Sequence, residues 1–371
     1  PSEVAVDGFF VISGYLICRS RVKGGPGGGR AYLWKRFLRI VPGYWVCLVV
    51  TAFIVSPIAW AHEYGSLHNF VSLKADGPVR FVVQNMSFLS RQSSIAGVFG
   101  GSHMPGAVNG SIWTLFYEVA AYVGIALLAW VRLLRHRPWV APAFPGALLG
   151  VLAYCDLSSP RLQSGVIHDG SRLGLFFAIG MSFYLWERWV PVSGWVAAAT
   201  AALWLASPWL VGPGLARDWQ LLGAVPFAYL VLWLAIRLPL ARVGSKADLS
   251  YGTYLYAWPV QQLLTMWGVP SRGWVTYSLL SIAASTALAV ASWHLVESPM
   301  LKHKRSVASP KEVAAIVPAP GWPLPVLAGL RRSRNPMCVP GKASSGPALA
   351  SMPAVTDRRE GDGQLTSGED R

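Results

Sequence analysis

Charged residues are scarce in this chain. Only 13% of its 371 residues are Asp, Glu, Lys or Arg, whereas soluble domains carry about 25%. Hydrophobic residues make up 53% of the sequence, and its mean hydropathy is +0.41. A single water-soluble core cannot bury this much apolar surface, so the composition indicates a helical protein that crosses a membrane several times.

Several common functional motifs are absent as well. The four cysteines have no paired spacing, which argues against a disulfide framework or a cysteine metal site. No HExxH, GxGxxG, P-loop or GxSxG pattern occurs. The 32 Lys and Arg outnumber the 17 Asp and Glu, but they form no cluster with stacking aromatics of the kind that nucleic-acid binding needs. We therefore expect no metal, no bound cofactor and no nucleic acid.

The apolar runs predict an all-α fold, a polytopic transmembrane helical bundle with about nine visible spans. A full crossing takes about 20 residues, and three of the runs are shorter than this. We expect the first of them to be cut at its start and the other two to be extended by tilted or interfacial ends. Arg80–Ser90 is too short to cross and predicts a re-entrant or interfacial helix. The nine predicted spans are Val4–Cys18, Ile40–Trp60, Ile112–Val131, Val140–Tyr154, Leu173–Trp186, Ser193–Gly212, Trp219–Ile236, Ser250–Gly268 and Val275–Val296.

Lys and Arg are distributed unevenly between alternating loops. One set of loops carries more than twice as many as the other, and such positive loops are typically cytoplasmic. This orientation places Pro1 outside and the C-terminus in the cytoplasm. From about Ser306 the chain becomes rich in Pro, Gly, Ser and Ala. This change of composition predicts a transmembrane domain over residues 1–305 and a disordered cytoplasmic tail over residues 306–371.

Charged residues near the start of the chain stand out. Asp7 lies within the apolar run VDGFFVISGYLI, where an acid is costly in lipid and must face protein or water. Arg36 and Arg39 lie three residues apart in KRFLRIVPGYW, on one helical face. Such a pair suits a phosphate, because Arg makes bidentate, always-charged contacts. From spacing alone, an ordinary positive-inside anchor is the favoured interpretation of the two arginines.

Three later segments add candidate site residues. NGSIWTLFYEVAAYV places Glu118 inside a predicted span, as a site acid or as a polar clamp between helices. In LSYGTYLYAWPVQQ, Tyr254 and Trp258 share one helical face, suited either to a pocket or to core packing. WHLVESPMLK carries Glu297 three residues after His294, and we interpret this segment as structural.

In these segments the chain resembles the acyltransferase-3 family of integral membrane acyltransferases. The four segments match that family's VDLFFVLSGFLI signature with its RxxR-plus-Pro segment, its WSLxxE motif, its LSYSLYLWHWPV motif and its closing ExP segment. The resemblance implies a bacterial cytoplasmic-membrane O-acyltransferase. Such an enzyme moves an acyl group, which we expect to be acetyl, from acyl-CoA to a hydroxyl of a carbohydrate or cell-envelope glycan.

The resemblance also implies roles for individual residues. Arg36 and Arg39 would bind the acyl-CoA donor. Asp7 and Glu118 would be supporting catalytic carboxylates. The substrate-pocket candidates are Trp113, Tyr117, Tyr254 and Trp258.

Two departures from the family leave alternatives open. Ala257 stands where the family often has His, which leaves Gln261 or Gln262 as replacements. The family's catalytic His belongs to a first helix, and members have about ten spans, so we expect one further helix before Pro1 and name no base within the chain. An inactive truncated acyltransferase, and a transporter or flippase of a polar lipid-linked solute using Asp7 and Glu118, remain alternatives.

Overall fold

The computed structural model describes residues 2–23, 28–68, 70, 76–101, 106–131, 140–158, 165–210, 220–238 and 247–303. Regular structure in these residues is helical throughout, with no strand, which confirms the all-α class. The domain boundary expected at residue 305 and the tail expected over residues 306–371 lie outside the described residues.

A helix coincides with each of the nine apolar runs, and further short helices lie between or after them. The α-helices are α1 (Ser2–Lys23), α2 (Gly29–Val50), α3 (Ser56–Tyr64), α4 (Pro78–Asn85), α5 (Thr114–Trp130), α6 (Val140–Ser158), α7 (Val166–Leu185), α8 (Gly194–Leu210), α9 (Gln220–Arg237), α10 (Ser250–Met266), α11 (Trp274–Ser292) and α12 (Ser298–Lys302). A 3-10 turn over Val269–Arg272 connects α10 to α11.

Two continuous helical stretches of the described chain are long and apolar enough to cross a membrane. They are Gly29–Tyr64 and Trp274–Lys302. Thr114–Trp130 and Leu222–Arg237 are apolar but shorter. The helices predicted from the sequence are thus present, whereas nine separate crossings are not confirmed.

Both long stretches contain a π-helical turn just before a Ser-Pro pair. Thr51–Val55 joins α2 to α3 ahead of Pro57, and Trp293–Glu297 joins α11 to α12 ahead of Pro299. Proline lacks the N–H that continues an α-helix and crowds the preceding turn. The wider π turn accommodates that loss, so each stretch continues through its proline.

Helices α1 and α7 cross at a pair of glycines. A Cβ on Gly14 would fall on the carbonyl oxygen of Phe177, and a Cβ on Gly180 would fall on that of Val11. The two backbones therefore touch directly, as small residues allow at close helix crossings. This contact fixes the level at which the polar side chains of α1 and α7 meet.

The connection between α4 and α5 is held by polar contacts and by an unusual backbone. Asn85 and the backbone of Gln92 exchange two hydrogen bonds, and the Gln92 side chain donates to Asp76 at 3.1 Å. Four non-glycine residues here have positive φ, namely Phe88, Ser90, Ala96 and Phe99. Because this conformation costs bulky residues free energy, the surrounding contacts must hold the segment in place.

The α1–α7 crossing yields a stability prediction. We expect Gly14→Ala to destabilise the protein by about 3 kcal/mol or more, because the added methyl forces the two backbones apart. Gly124→Ala on α5 is the matched control, since a Cβ there meets no atom within 4 Å. The measurement is thermal unfolding of both variants in detergent. Equal unfolding midpoints would contradict the close crossing.

Candidate active site

Helix α5 carries the residues around which the candidate site is built. Thr114, Glu118 and Tyr122 follow one another at intervals of four residues, so they lie on one face. All three are buried. The face contacts α2, which carries Arg36 and Arg39, and α10, which carries Tyr254 and Trp258.

Glu118 is held inside the bundle by the tyrosine one turn further along α5. The Tyr122 hydroxyl donates a hydrogen bond to Oε1 of Glu118, and the Glu118 residue is only 7% exposed. The charges of Arg36 and Arg39 act on this carboxylate. The structure thus brings Glu118 together with both predicted donor-binding arginines.

Arg36 is stacked on aromatic rings. Its guanidinium carbon lies 5.4 Å from the ring centroid of Tyr122 and 5.8 Å from that of Tyr32, within the range of cation–π attraction. The Tyr32 hydroxyl also donates to the carbonyl of Tyr122 at 3.5 Å. These contacts orient Arg36 next to the Glu118–Tyr122 pair without placing a carboxylate of the described chain within ion-pair distance.

Arg39 instead forms an ion pair with Asp248, just before α10. Its charge also acts on two buried acids, Glu118 and Glu297. A phosphate at Arg39 would therefore compete with three carboxylates. This surrounding suits an internal counterion better than an open anion site.

The environment of Asp248 favours its ionised form. Burial raises the pKa of this carboxyl, but hydrogen bonds from Ser250 and the charge of Arg39 outweigh burial, so the pKa lies below its usual value of 3.8. The Ser250 hydroxyl donates to Oδ1 of Asp248 at 2.6 Å. Asp248 thereby joins the start of α10 to α2.

The α10 pocket candidates contact the start of α5. Tyr254 and Thr114 share a hydrogen bond between their hydroxyls. Trp258 Nε1 donates to the carbonyl of Ala107 at 3.0 Å, and a Cβ on Gly110 would lie 2.6 Å from the Trp258 ring. Gln262, considered as a replacement for the missing His, also donates to Ala107, at 2.8 Å. Both side chains thus anchor the segment that leads into α5.

A backbone carbonyl of α10 that lacks its helical partner binds the segment leading into α5. Pro259 has no N–H, so the helix leaves the carbonyl of Leu255 without its usual partner. The Asn109 amide donates to this oxygen at 3.2 Å. Asn109 also donates to the sulfur of Cys47 on α2 at 3.4 Å. The two motifs that carry Glu118 and Tyr254 are therefore joined by this asparagine.

Glu297 lies close to the site, although the sequence suggested only a structural role. It is 2% exposed, and its Oε1 accepts a hydrogen bond from Ser292 at 3.2 Å. A Cβ on Gly43 would lie 3.0 Å from the Tyr251 ring and 3.5 Å from the Glu297 side chain. The absence of a side chain at Gly43 thus allows an acid from the π-helical turn between α11 and α12 to reach α2. Its position next to Arg39 was not visible from sequence spacing.

Asp7 lies apart from these residues, on the α1–α7 contact. Its Oδ1 accepts a hydrogen bond from Arg172 Nε at 3.1 Å. The two residues are 1% and 5% exposed, respectively. The supporting catalytic role expected for Asp7 stays a prediction, as do the roles expected for the other site residues.

Trp113 and Tyr117 lie beside Glu118 in the same motif. Their rings meet edge to face with centroids 5.8 Å apart. A Cβ on Gly170 of α7 would lie 3.3 Å from the Tyr117 ring. Both aromatics are partly exposed, so they lie on an accessible side of the site.

The Arg39–Asp248 ion pair predicts a pH dependence of stability. Because the pKa of Asp248 is lowered in the folded state, the pair contributes fully above pH 3.8 and is lost as the pH falls through the folded value. We expect Asp248→Asn to lower the unfolding midpoint at pH 7. The difference from the unmodified protein should shrink towards pH 3. Unfolding curves at several pH values test this, and a constant difference would contradict it.

Comparison with known proteins places this arrangement in a family. The profile described as an acyltransferase domain, of the acyltransferase-3 type, matches residues 2–294. The chain is 28% identical to an O-acetyl transferase of Shigella phage Sf6, over 80% of this chain and 84% of the relative. It is 27% identical to Nodulation protein 10 of Rhizobium leguminosarum bv. viciae, over 81% and 83%. No solved structure matches. The chain therefore belongs to the acyltransferase-3 family and is an acyltransferase that transfers groups other than aminoacyl groups.

Proposed function

We propose that this protein is a multi-pass membrane O-acyltransferase that moves an acetyl group from acetyl-CoA to a hydroxyl of a carbohydrate. The observation that carries the proposal is the chain of contacts from Arg36 through Tyr122 to Glu118. It places an always-charged cation over the ring of Tyr122 and a buried carboxylate at the hydroxyl of the same tyrosine. Acetyl transfer needs both kinds of group, one for the anionic donor and one near the reacting hydroxyl.

Arg36 is the better of the two donor-binding candidates. Its described partners are Tyr32 and Tyr122, which orient the guanidinium, and no carboxylate of the described chain forms an ion pair with it. Arg39 is engaged by Asp248. In the proposed division of roles, Arg36 contacts the donor, while Arg39 neutralises the acids around it.

The reaction joins the acceptor oxygen to the acetyl carbon. The hydroxyl oxygen attacks the thioester carbonyl, the C–S bond breaks, and CoA leaves as a thiolate that takes up a proton. Glu118 accepts a hydrogen bond from the attacking hydroxyl, which makes its oxygen more nucleophilic. Tyr254, bonded to Thr114, is the proposed donor to the oxyanion. The proton of the attacking hydroxyl ends on the CoA sulfur, so the step yields the O-acetyl ester and the CoA thiol.

The membrane arrangement supports a reaction inside the bilayer. Family membership, two helical stretches of spanning length and the uneven loop charges favour a multi-pass protein with a cytoplasmic C-terminus. Helix α2 begins on the proposed cytoplasmic side, where acetyl-CoA is available. Its side chain Arg36 is the proposed donor contact on the way to Glu118.

We expect Glu118→Gln to lower kcat by about 100-fold or more, because an amide is a weak acceptor for the hydroxyl proton. The KM for acetyl-CoA should stay within about threefold, since the donor contacts are kept. The assay measures radiolabelled acetyl transfer to a panel of simple methyl glycosides by purified protein in nanodiscs.

The matched control for this variant is Glu187→Gln. Glu187 follows α7 and accepts a hydrogen bond from Tyr15 at 3.1 Å, well separated along the helix from the Glu118 side. Its kcat should match that of the unmodified protein. Full activity of Glu118→Gln would remove Glu118 from the mechanism. Uptake of a lipid-linked solute into vesicles without acetyl transfer would favour the transporter alternative.

A further inference from the structure

A second polar cluster lies on α7, outside the Glu118 site. His168 Nε2 is 3.1 Å from Oδ1 of Asp156, and His168 Nδ1 is 3.4 Å from Oδ1 of Asp169. The Asp156 side chain is 5% exposed, whereas that of Asp169 is 30% exposed. One carboxylate therefore fixes the imidazole from within, and the other is accessible to a ligand.

The buried Arg172–Asp7 ion pair lies next to this cluster, because Arg172 follows His168 by one turn of α7. Each partner has a polar atom without a hydrogen-bond partner among the described residues, Oδ2 of Asp7 and Nη2 of Arg172. Both residues are more than nine-tenths buried. Leaving buried polar atoms unpaired costs free energy. A group that both donates and accepts hydrogen bonds would satisfy the two atoms together.

The aromatic ring of Tyr117 lies beside the cluster. Tyr117 of α5 packs against Gly170 of α7, and the charge of Asp169 acts on it. Tyr117 is partly exposed. Its neighbour along the chain is Glu118. The residue of α5 that borders the cluster is therefore next in sequence to the proposed catalytic acid.

We propose that Tyr117, His168, Asp169 and the Arg172–Asp7 pair form the binding subsite for the hydroxyl-bearing acceptor, a sugar ring. This inference rests on the proposed function and names the acceptor side of the same site. The aromatic ring covers the apolar face of the sugar. The carboxylates accept hydrogen bonds from its hydroxyls, and the guanidinium donates to them.

The balance of charges favours a neutral polyhydroxylated ligand. Four carboxylates surround one guanidinium and one imidazole, namely Glu3, Asp7, Asp156 and Asp169, and Glu3 Oε2 lies 3.6 Å from Nη1 of Arg172. An anion such as the CoA phosphates would face these carboxylates at close range. A sugar hydroxyl supplies the donor that Asp7 lacks and the acceptor that Arg172 lacks. The cluster therefore separates the acceptor from the arginines proposed for the donor.

The test compares KM values for the two substrates. Purified protein in nanodiscs receives radiolabelled acetyl-CoA and the methyl glycosides of glucose, rhamnose and N-acetylglucosamine. We expect Tyr117→Ala and Asp169→Asn each to raise the KM for the accepted glycoside about tenfold, as loss of one strong contact does. Tyr117→Phe keeps the ring and should retain most of the affinity. The KM for acetyl-CoA should not change in any of the three variants.

Matched controls separate binding from folding. Tyr154→Ala removes a tyrosine of α6 that is 66% exposed, and Glu187→Gln removes an acid beyond the other end of α7. Both should leave the glycoside KM unchanged. Unfolding midpoints close to that of the unmodified protein show that the variants are folded.

Each outcome decides a different statement. Transfer by the unmodified protein with unchanged glycoside KM in Tyr117→Ala and Asp169→Asn would overturn the subsite while leaving the proposed function intact. Binding of acetyl-CoA without transfer to any glycoside would overturn the sugar ring as the ligand class. Failure to bind acetyl-CoA would overturn the proposed function itself.

Discussion

Charged side chains inside this apolar bundle must find partners there, because an unpaired buried charge is strongly destabilising. That requirement accounts for where the helices meet. The buried Asp7 and Arg172 meet between α1 and α7, whereas the partly exposed Arg39 and Asp248 join α2 to the start of α10. Arg39 is also the cation whose charge reaches Glu118 and Glu297. Replacing one of these groups therefore alters the balance at the others.

Proline supplies a second constraint, because every proline inside a helix leaves a carbonyl to be satisfied. The carbonyl freed by Pro259 belongs to Leu255, and Asn109 bonds to it. This contact fixes the start of α5 against the middle of α10. The register of Thr114 with Tyr254, and thereby the depth of Glu118, follows from it.

The helices could be predicted from the sequence because long apolar runs have few alternatives to a helix in a membrane. Pairings between helices could not, because they join residues far apart in the chain. Hydropathy also misplaced one boundary that matters. The predicted span began at Leu173, which left His168 and Arg172 in a loop, whereas α7 begins at Val166. Polar residues in a helix's first turns lower the local hydropathy without ending the helix.

Successive residues of helix α5 contact different polar groups. Tyr117 faces the polar cluster of α7, Glu118 follows it, and Tyr122 lies one turn further on under Arg36. An acetyl transferase must keep a highly charged donor away from the hydroxyls of its acceptor until their reacting atoms meet. Under the proposed function, the different surroundings of Tyr117 and Tyr122, five residues apart on α5, keep the two substrates apart, with a carboxylate near the first and a guanidinium over the second. Glu118, which lies between Tyr117 and Tyr122 in sequence, is then the proposed meeting point of the two substrates.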